Sequence, residues 1–523
     1  MASTTPDSIT DDDRQHISGT EATVLNITAG VVTADTIRST LGPVGMSKMV
    51  VDDLGNVLVT DDGSNILEQI DIEHPTAQLI KEIADSQEES AGDGTTSAVV
   101  LASEMLKEAE DLLANGLHPT TVIAGYQKAA AKARDIYTET ARPVDFENRA
   151  QLRNAVTSVI GGDSKEDGDA ALVDVILQSL EPVLDGEQPN VDNIHFVTKA
   201  GEPVDASEAF PGMVLNRDPL HSEMPDRVEN AAIALLDTGL EADELSGEMT
   251  ISPETPSANT EFQEREKQSF ARKAQTLSEL GATVVVTSEG IHDQVQHELA
   301  TRGILAVRRP PDSAMQKLAR ATGANIVTNV AGMSVTDLGT AGVVTQEKVA
   351  GDNMLFVRDC DVAETSTILL RGGTKQSVNE TERRVKNALG AIGTLIDEPS
   401  LLPGGGGPET KAALALRKYA DGVDGREQLA VDSFADALEI IPRTLATNAG
   451  FNAIDAVTKL RNTYATANDT TGLSLETGEP AEMMVEGIVD PLAVRTGALM
   501  KAVEVTVLVL RIDGIISAAG TIE

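Results

Sequence analysis

The chain has 523 residues, too many for one hydrophobic core, and this length predicts about three domains. Its 83 acidic and 41 basic residues give a formal net charge of -42, which excludes a protein that binds nucleic acid through a basic surface. A single cysteine, Cys360, excludes an intramolecular disulfide framework and a cysteine-based metal cluster. No basic segment followed by an apolar one opens the chain, and no apolar run reaches about 18 residues. We therefore expect a cytoplasmic protein that is neither exported nor membrane-spanning.

The acidic residues are spread along the whole chain. Because 41% of the residues are still hydrophobic, the charge does not indicate disorder. In molar salt, screening acts over only about 3 Å, so a salt-rich cytosol tolerates a surface that repels itself in dilute buffer. The composition therefore favours a halophilic archaeon as the source. A generally acidic cytosolic protein is the alternative.

The first fifth of the chain combines helices with turns that carry Gly, Asp and Thr. Apolar residues at helical spacing predict a long helix, which TLGPVG at 40–45 ends with a Gly-Pro turn. The segment 49–59 predicts a β-hairpin that turns near Gly55 and places Asp62 of the following TDDG at a strand end. The predicted helical face consists of Val24, Ile27, Val31, Ala34 and Ile37.

The sequence GDGTT at 92–96 lies between two predicted helices, of which the first opens with Pro75. Two glycines let the backbone turn sharply beside a ligand, and the second helix offers free N–H groups and threonine hydroxyls to anionic oxygens. Asp93 inside a phosphate site needs a cation between the two negative groups, so the stretch predicts a nucleotide with Mg²⁺. Taken alone, the stretch also fits an ordinary loop with a helix N-cap.

The middle of the chain carries few residues that indicate chemistry. Helical sequence continues to Pro143 and is followed by short helices and strands. The segment 227–240 predicts a buried strand, whereas 244–260 is polar and rich in turn residues and leads into a charged helix that Gly281 ends. Such a combination is typical of a segment that projects from a domain. Strand and helix then alternate over 282–310, which indicates an α/β unit.

The last part of the chain contains a second glycine-rich turn. A predicted strand at 366–373 and a helix at 381–392 precede LLPGGGGPE at 401–409, where four glycines come before Pro408 and a new helix. This turn predicts a backbone cradle for phosphate or ribose, with a flexible linker as the alternative. The remainder predicts helices up to a final strand at 508–516. Since the chemical residues lie near both chain ends, we predict a nucleotide domain built from both ends with other domains inserted.

The order of these motifs resembles that of group II chaperonins, the thermosome subunits related to the eukaryotic cytosolic chaperonin. The resemblance covers nearly the whole chain and implies a multidomain α+β and α/β fold. The motifs that carry it are TLGPVGMSKM, TDDGSNIL, IEHPTAQL, GDGTTSAVVLA, RVENAAIALLD, LAVRR, KLARATGA, ILLRGGT, PGGGGPE, FADALEIIPRTLATNAG and LRIDGII. The implied parts are a mainly helical equatorial ATP-binding domain (1–144 and 401–523), a small intermediate domain (145–217 and 366–400) and an α/β apical substrate-binding domain (218–365) with a helical protrusion at about 244–280.

This resemblance also implies what the chain does. It indicates an ATP-dependent molecular chaperone subunit, in which ATP binding and hydrolysis close and reopen a double-ring chamber around unfolded client proteins. Rings of eight or nine subunits, homo- or hetero-oligomeric, both fit. The implied cofactors are ATP and Mg²⁺, with K⁺ as a further candidate. Because the protrusion serves as a built-in lid, no separate cap co-chaperonin is expected, and neither is a nucleic-acid or membrane partner.

Roles carry over from the family position by position. The resemblance assigns Asp62 to the γ-phosphate and the attacking water, and Asp93 to Mg²⁺. The positions matched to nucleotide binding are Thr40, Leu41, Gly42, Pro43, Gly63, Gly94, Thr95 and Thr96 for the phosphates, Gly405 and Gly406 for the ribose side, and Asp490 for the nucleoside.

The chain departs from the family where the hydrolytic carboxylate is usual. The family pattern after RGGT reads ERxxxDA, and counting from Arg371 without a gap places Asn387 at the aspartate. An amide orients water but does not accept its proton, and general base catalysis is worth about 10²–10⁴ in rate. Phosphoryl transfer is often loose, however, and some GTPases orient water with a neutral glutamine. Asn387 is therefore a candidate catalytic position that predicts slow hydrolysis; tolerated drift in a working ATPase is the alternative.

Two further departures lie elsewhere. Gly162 matches the position of a family lysine that senses the nucleotide, and Lys165 could replace that lysine if the register slips. Ser47 stands where an acid is usual. Together with Asn387, Gly162 favours slow hydrolysis. The alternative is an ATP-binding but nearly non-hydrolysing structural or regulatory subunit of a hetero-oligomeric chaperonin.

Overall fold

The computed structural model describes residues 14–518 apart from 52–54, 56, 162–166, 185–188, 218, 242–255, 361–364 and 466–468. Its contacts divide the chain into two units, Met1–Asp169 with Arg384–Glu523 and Ala170–Arg383. Both ends of the chain thus contribute to the first unit. The predicted three-domain boundaries are a finer partition and stay a prediction.

The helices and strands alternate along the described parts of the chain. The helices are α1 Thr20–Arg38, α2 Gly63–Gln69, α3 Pro75–Ala91, α4 Thr95–Ala114, α5 Pro119–Thr140, α6 Arg149–Ile160, α7 Asp167–Leu184, α8 Pro256–Glu279, α9 Asp293–Thr301, α10 Asp312–Thr322, α11 Lys375–Asp397, α12 Gly407–Ala420, α13 Glu427–Leu438, α14 Ile440–Asn448, α15 Ala453–Tyr464, α16 Met483–Glu486 and α17 Leu492–Leu510. The strands are β1 Arg14–Ser18, β2 Lys48–Val51, β3 Val57–Thr60, β4 Arg142–Pro143, β5 Ile194–Ala200, β6 Glu208–Pro211, β7 Met213–Leu215, β8 Arg227–Leu236, β9 Val284–Thr287, β10 Leu305–Arg308, β11 Ile326–Val327, β12 Gly339–Val349, β13 Asp352–Cys360, β14 Ser366–Gly372, β15 Ser400–Pro403, β16 Thr471–Leu473, β17 Pro480–Glu482, β18 Val489–Pro491 and β19 Gly514–Ala518.

The first unit is mainly helical and packs around α4. Every residue from Ser97 to Leu106 is buried, because apolar and small side chains occupy all sides of this helix and not one face alone. Helices α1, α3, α5, α12, α13 and α17 contribute to the same core. The Tyr126 hydroxyl donates to the Met105 carbonyl over 2.9 Å, and its ring meets Phe434 edge to face. Burial of α4 fixes the GDGTT turn at its N-terminal end.

Short strands place further residues of the first unit. Strands β2 and β3 form the predicted antiparallel hairpin, in which Lys48 pairs with Thr60, so Asp61 and Asp62 follow directly after the strand. Strand β15 pairs with β4 and with β18, where Leu402 lies opposite Asp490. Strands β1 and β19, from the two ends of the chain, pair antiparallel.

The second unit contains a seven-stranded mixed sheet. Strands β10, β9 and β8 run parallel, which confirms the predicted α/β unit, and β11 also pairs parallel with β8. Strands β8, β12, β13 and β7 continue the sheet antiparallel. The predicted strand at β8 is confirmed, and Ala234, Leu235 and Leu236 are fully buried. A separate three-stranded sheet has the order β5, β14, β6.

Three sequence predictions need comment. The predicted final strand at 508–516 is wrong at its start, because Leu508–Leu510 continue the long apolar helix α17 and the strand begins only at Gly514. Val24, predicted on the buried face of α1, is 40% exposed. The charged helix α8 is confirmed, with Gly281 at a φ of +86° just beyond it, whereas 242–255 of the predicted protrusion lie outside the described residues. No described helix is long and apolar enough to cross a membrane.

Candidate functional site

The turn from α3 into α4 lies directly against α11. Gly92 and Gly94 have φ values of +65° and +83°, in the left-handed region that favours glycine. A Cβ at Gly92 would lie 2.5 Å from the backbone oxygen of Asn387, so a larger residue does not fit there. Gly94, the N-cap of α4, has no side chain to satisfy the first N–H groups of the helix. These N–H groups are the ones that bind anions at helix ends.

Hydrogen bonds hold Asp93 within this turn. Its Oδ1 accepts a hydrogen bond from the Gly94 backbone N over 2.6 Å. Its backbone oxygen accepts from Nε2 of the fully buried Gln87 over 2.7 Å, and the same Nε2 donates to the Val494 carbonyl. Gln87 therefore joins the turn to the start of α17, a role beyond the helix-face position that sequence periodicity indicates.

The electrostatics of the site centre on Asp93. Burial first, and then repulsion from Asp490, raise the pKa of Asp93 to about 6; Asp62 adds a smaller repulsion. The hydrogen bond from Gly94 and the positive charge of Arg495 act in the opposite direction. Carboxylates from a loop, a turn and a strand thus face one another closely enough to disfavour ionisation of one of them. A bound cation relieves such repulsion.

Asp62 and Asn387 are in direct contact. Asp62 is the N-cap of α2, where its Oδ1 accepts from the Asn65 backbone N over 2.8 Å. Its Oδ2 accepts from Nδ2 of Asn387 over 3.1 Å. A Cβ at Gly63 would lie 2.6 Å from Oγ1 of Thr96, so the TDDG and GDGTT segments also meet. The structure therefore brings both candidate catalytic positions to the start of α4.

Helix α11 is fixed close to Asn387. The Arg384 guanidinium, one turn earlier, donates to the Ile160 carbonyl and pairs with Asp169, each over 2.9 Å. Gly162 and Lys165, which the sequence comparison relates to a nucleotide-sensing lysine, lie outside the described residues.

A buried ion pair that the sequence pattern does not reveal completes the site. Arg495 pairs with Glu409 over 3.1 Å, and its side chain also faces Asp490 over 3.5 Å. The exposed fractions of the Arg495 and Glu409 side chains are only 10% and 2%. Arg495 further donates to Oγ of Ser97 in α4. The available signal was a lone cation in the apolar run at 492–500.

The turn at 40–43 is shaped by α14. Gly42 has a φ of +86°, and a Cβ there would lie 2.4 Å from a methyl group of Leu445. Asn448 Nδ2 donates to the Leu41 carbonyl over 2.9 Å. Oγ1 of Thr40 donates to the last turn of α1 over 2.8 Å, so its proton is committed to the protein backbone. These contacts give the turn a defined shape before any ligand binds.

The glycine-rich turn after β15 is also packed by the protein itself. Gly405 and Gly406 have φ values of +64° and +69°, and the Leu473 N donates to the Gly405 carbonyl over 2.9 Å. A Cβ at Gly405 would lie 2.6 Å from the Leu473 N, and one at Gly406 would lie 2.7 Å from Pro442. The alternative of a flexible linker is therefore wrong. Because β15 pairs with the strand that carries Asp490, the turn continues towards that carboxylate.

Comparison with known proteins identifies the family. The model of the TCP-1/cpn60 chaperonin family matches residues 33–520. The chain belongs to this chaperonin family. This chaperonin chain is 44% identical over 508 residues to the thermosome subunit of Methanopyrus kandleri, which covers 96% of the chain and 93% of the relative. It is 41% identical over 507 residues both to the thermosome subunit alpha of Halobacterium salinarum and to thermosome subunit 1 of Haloferax volcanii, with 97% and 90% covered in each case.

These matches confirm the predicted relation to thermosome subunits and the chaperonin fold class. The two haloarchaeal relatives support the halophilic source inferred from the charge of the chain. Chaperonins are ATP-dependent, so this chaperonin chain is one of a family that uses nucleotide. The roles of individual residues stay predictions.

Proposed function

We propose that this chain is an ATP-dependent chaperone subunit that binds Mg²⁺-ATP at the start of α4 and hydrolyses it slowly. The observation that carries the slow rate is the position of Asn387. Its amide lies 3.1 Å from Asp62, where the family pattern has a carboxylate. This amide belongs to the same site as the turn that holds Asp93.

The donor groups of the site fit Mg²⁺ and phosphate. Carboxylate oxygens are the ligands that Mg²⁺ prefers, and Asp93 is the proposed ligand because it shares the turn with the free N–H groups of α4. When bound, Mg²⁺ neutralises negative charge on the terminal phosphates. The turns at 40–43 and 94–96 are proposed to hold the phosphates, with Gly63 beside them. Gly405, Gly406 and Asp490 are proposed to lie on the ribose and nucleoside side, and K⁺ is a further candidate ion.

The contact between Asn387 and Asp62 explains the expected rate. An amide that donates to Asp62 through Nδ2 presents its Oδ1 as an acceptor that orients a water molecule. It does not take the proton of that water, and the missing general base is worth about 10²–10⁴ in rate. Asp62 is the carboxylate that remains to accept the proton. We therefore expect turnover well below that of an aspartate-bearing relative.

A second candidate function follows from the same residue. An ATP-binding subunit that hardly hydrolyses ATP would complete a hetero-oligomeric ring and follow conformational changes driven by active neighbours. Relatives carry the names thermosome subunit alpha and thermosome subunit beta, so related subunits exist for such a ring. Homogeneous rings of this chain that bind ATP but never turn it over would support this second candidate.

The assembly proposed for the chain is a cytoplasmic double ring of eight or nine subunits, homo- or hetero-oligomeric, that encloses unfolded client proteins. The segment at about 244–280 is proposed as the built-in lid, which makes a separate cap co-chaperonin unnecessary. The family membership supports this assembly. Neither a nucleic acid nor a membrane is a proposed partner.

A refolding assay tests the function. The homogeneous protein, in molar KCl with Mg²⁺, is given a chemically denatured client, and recovery of client activity is followed with and without ATP. We expect ATP to increase recovery for the wild type and not for Asp93→Asn, whereas Asp111→Asn, the same change at the exposed far end of α4, behaves as the wild type. Capture of the client by neither protein nor variant, or equal recovery without ATP, would contradict the proposal.

A further inference from the structure

Two histidines and a glutamate converge on the surface of the second unit. His221 and Glu223 lie in the turn between β7 and β8, and His297 lies on α9. One potential ligand atom from each lies within 4.8 Å of the other two. The His221 and His297 rings meet edge to face with centroids 5.7 Å apart. We propose that these three side chains bind a divalent transition-metal ion of the Zn²⁺ class.

The backbone on both sides of this cluster is held in place. The Leu220 N donates to the Ala306 carbonyl over 3.3 Å, and the Ala306 N lies 3.3 Å from the sulfur of Met224, whose side chain is buried. The Met224 N also donates to the His221 carbonyl. The turn is thereby fixed to β10. Only exposed side chains have to move when an ion binds.

Helix α9 presents His297 from a fixed position. Val295 and Leu299, on either side of His297 in sequence, are fully buried, whereas His297 itself is exposed. Asp293, one turn earlier, lines a surface groove together with His297. This nearby carboxylate adds to the strongly negative charge of the chain, which favours a cation at the site.

The donor set selects the class of ion. Two imidazoles with one carboxylate suit Zn²⁺, Co²⁺ or Ni²⁺ and are a poor choice for Mg²⁺ or K⁺, which prefer oxygen ligands. In a tetrahedral site with Zn–N of about 2.1 Å, the ligand atoms lie about 3.4 Å apart, so the three side chains must approach by about an ångström. Solvent fills the remaining coordination position. The cluster therefore differs in chemistry from the site at Asp93.

The free protein sets a limit on affinity at His221. Nδ1 of His221 accepts a hydrogen bond from the Glu223 backbone N over 3.2 Å. Coordination through either ring nitrogen ends this hydrogen bond, because a metal-bound neutral imidazole carries its proton on the other nitrogen. Binding also requires neutral histidines, so affinity falls as the pH decreases below the histidine range. A bound ion would join the turn to α9 and stabilise the second unit by mass action.

Cobalt absorption is the direct test. Co²⁺ is titrated into the full, untagged chain in chelator-free molar KCl, where non-specific attraction to the acidic surface is screened. We expect saturable binding of about one ion per chain with a ligand-field spectrum, displacement by Zn²⁺ and no displacement by excess Mg²⁺. His221→Ala and His297→Ala should each weaken binding by more than the roughly tenfold that loss of a mere supporting group causes.

Two further variants serve as controls. His118→Asn alters an exposed histidine that caps α5 in the first unit, keeps a residue suited to the cap, and should bind Co²⁺ as the wild type does. Glu223→Gln removes the carboxylate charge with little change in shape and should weaken binding even if an alanine variant folds poorly. A linear titration without saturation would overturn the proposal. So would saturable binding that both histidine variants retain.

Discussion

Replacing Asp93 with asparagine removes charge from the centre of the site while it keeps the shape. The pKa of Asp93 is raised from 3.8 to about 6, so the carboxylate is ionised at pH 7.5 in surroundings that disfavour ionisation. Since the folded pKa lies above the unfolded one, the unfavourable contribution is absent below about pH 4 and complete above about pH 6. Two pKa units correspond to about 3 kcal/mol, and solvent screening of this partly exposed group reduces the figure to about 1–2 kcal/mol.

The magnesium-free Asp93→Asn protein should therefore be more stable than the wild type at pH 7.5. Its amide oxygen still accepts the hydrogen bond from the Gly94 N. We expect a rise in melting temperature of about 2–4 °C at pH 7.5 that disappears near pH 4. Addition of Mg²⁺-ATP should reverse the order, because ligand binding stabilises only the wild type.

Thermal unfolding in molar KCl, followed by circular dichroism with and without Mg²⁺-ATP, measures both effects. Asp111→Asn makes the same chemical change at an exposed position of α4 and should leave both melting temperatures unchanged. A magnesium-free Asp93→Asn protein that is less stable than the wild type at pH 7.5 would refute the electrostatic reasoning. Full stabilisation of the variant by Mg²⁺-ATP would refute the assignment of Asp93 to the cation.

Three further predictions follow from the geometry of the site. Arg495→Met leaves Glu409 buried without its partner and should lower the free energy of unfolding by about 3–5 kcal/mol; adding Glu409→Gln should restore much of this loss in denaturant titrations, and no restoration would contradict the pairing. Gly92→Ala should cost more than the roughly 1–2 kcal/mol of Gly116→Ala, because both glycines have left-handed φ values but only Gly92 meets neighbouring backbone; equal losses in the same titrations would refute this. Affinity for Mg²⁺-ATP should fall as the pH decreases through about 6, where Asp93 becomes protonated, and a calorimetric titration that shows no change between pH 5 and 8 would count against it.

Local elements could be predicted because their signals are short in sequence. The hairpin of β2 and β3 follows from two β-prone runs around Gly55, and the start of α3 follows from Pro75 before a helical pattern. The end of α17 could not, since Leu508–Leu510 suit a strand and a helix equally, and packing against the buried helices of the first unit decides between them.

Contacts between distant residues were beyond sequence reasoning without the family resemblance. Asn387 and Asp62 are 325 positions apart, and no periodicity relates them. Arg495 was overlooked for the same reason: it lies in an apolar run, and only the fold shows that the buried Glu409 and the carboxylate of Asp490 face it. Glycine-rich turns could be located, but packing against Leu473 was needed to separate a rigid turn from a linker.

The central claim is that Asn387 limits hydrolysis, and single-turnover ATP hydrolysis tests it most directly. Homogeneous wild-type rings and Asn387→Asp rings are compared in molar KCl with Mg²⁺, at ATP occupancies verified to be equal. Asn115→Asp, the same change at the exposed C-cap of α4, serves as the control. The account predicts a rise of about 10² or more in the Asn387→Asp rate and none in the control. Equal and substantial rates in wild type and variant would contradict it and would show that another group, Asp62 first, already acts on the water.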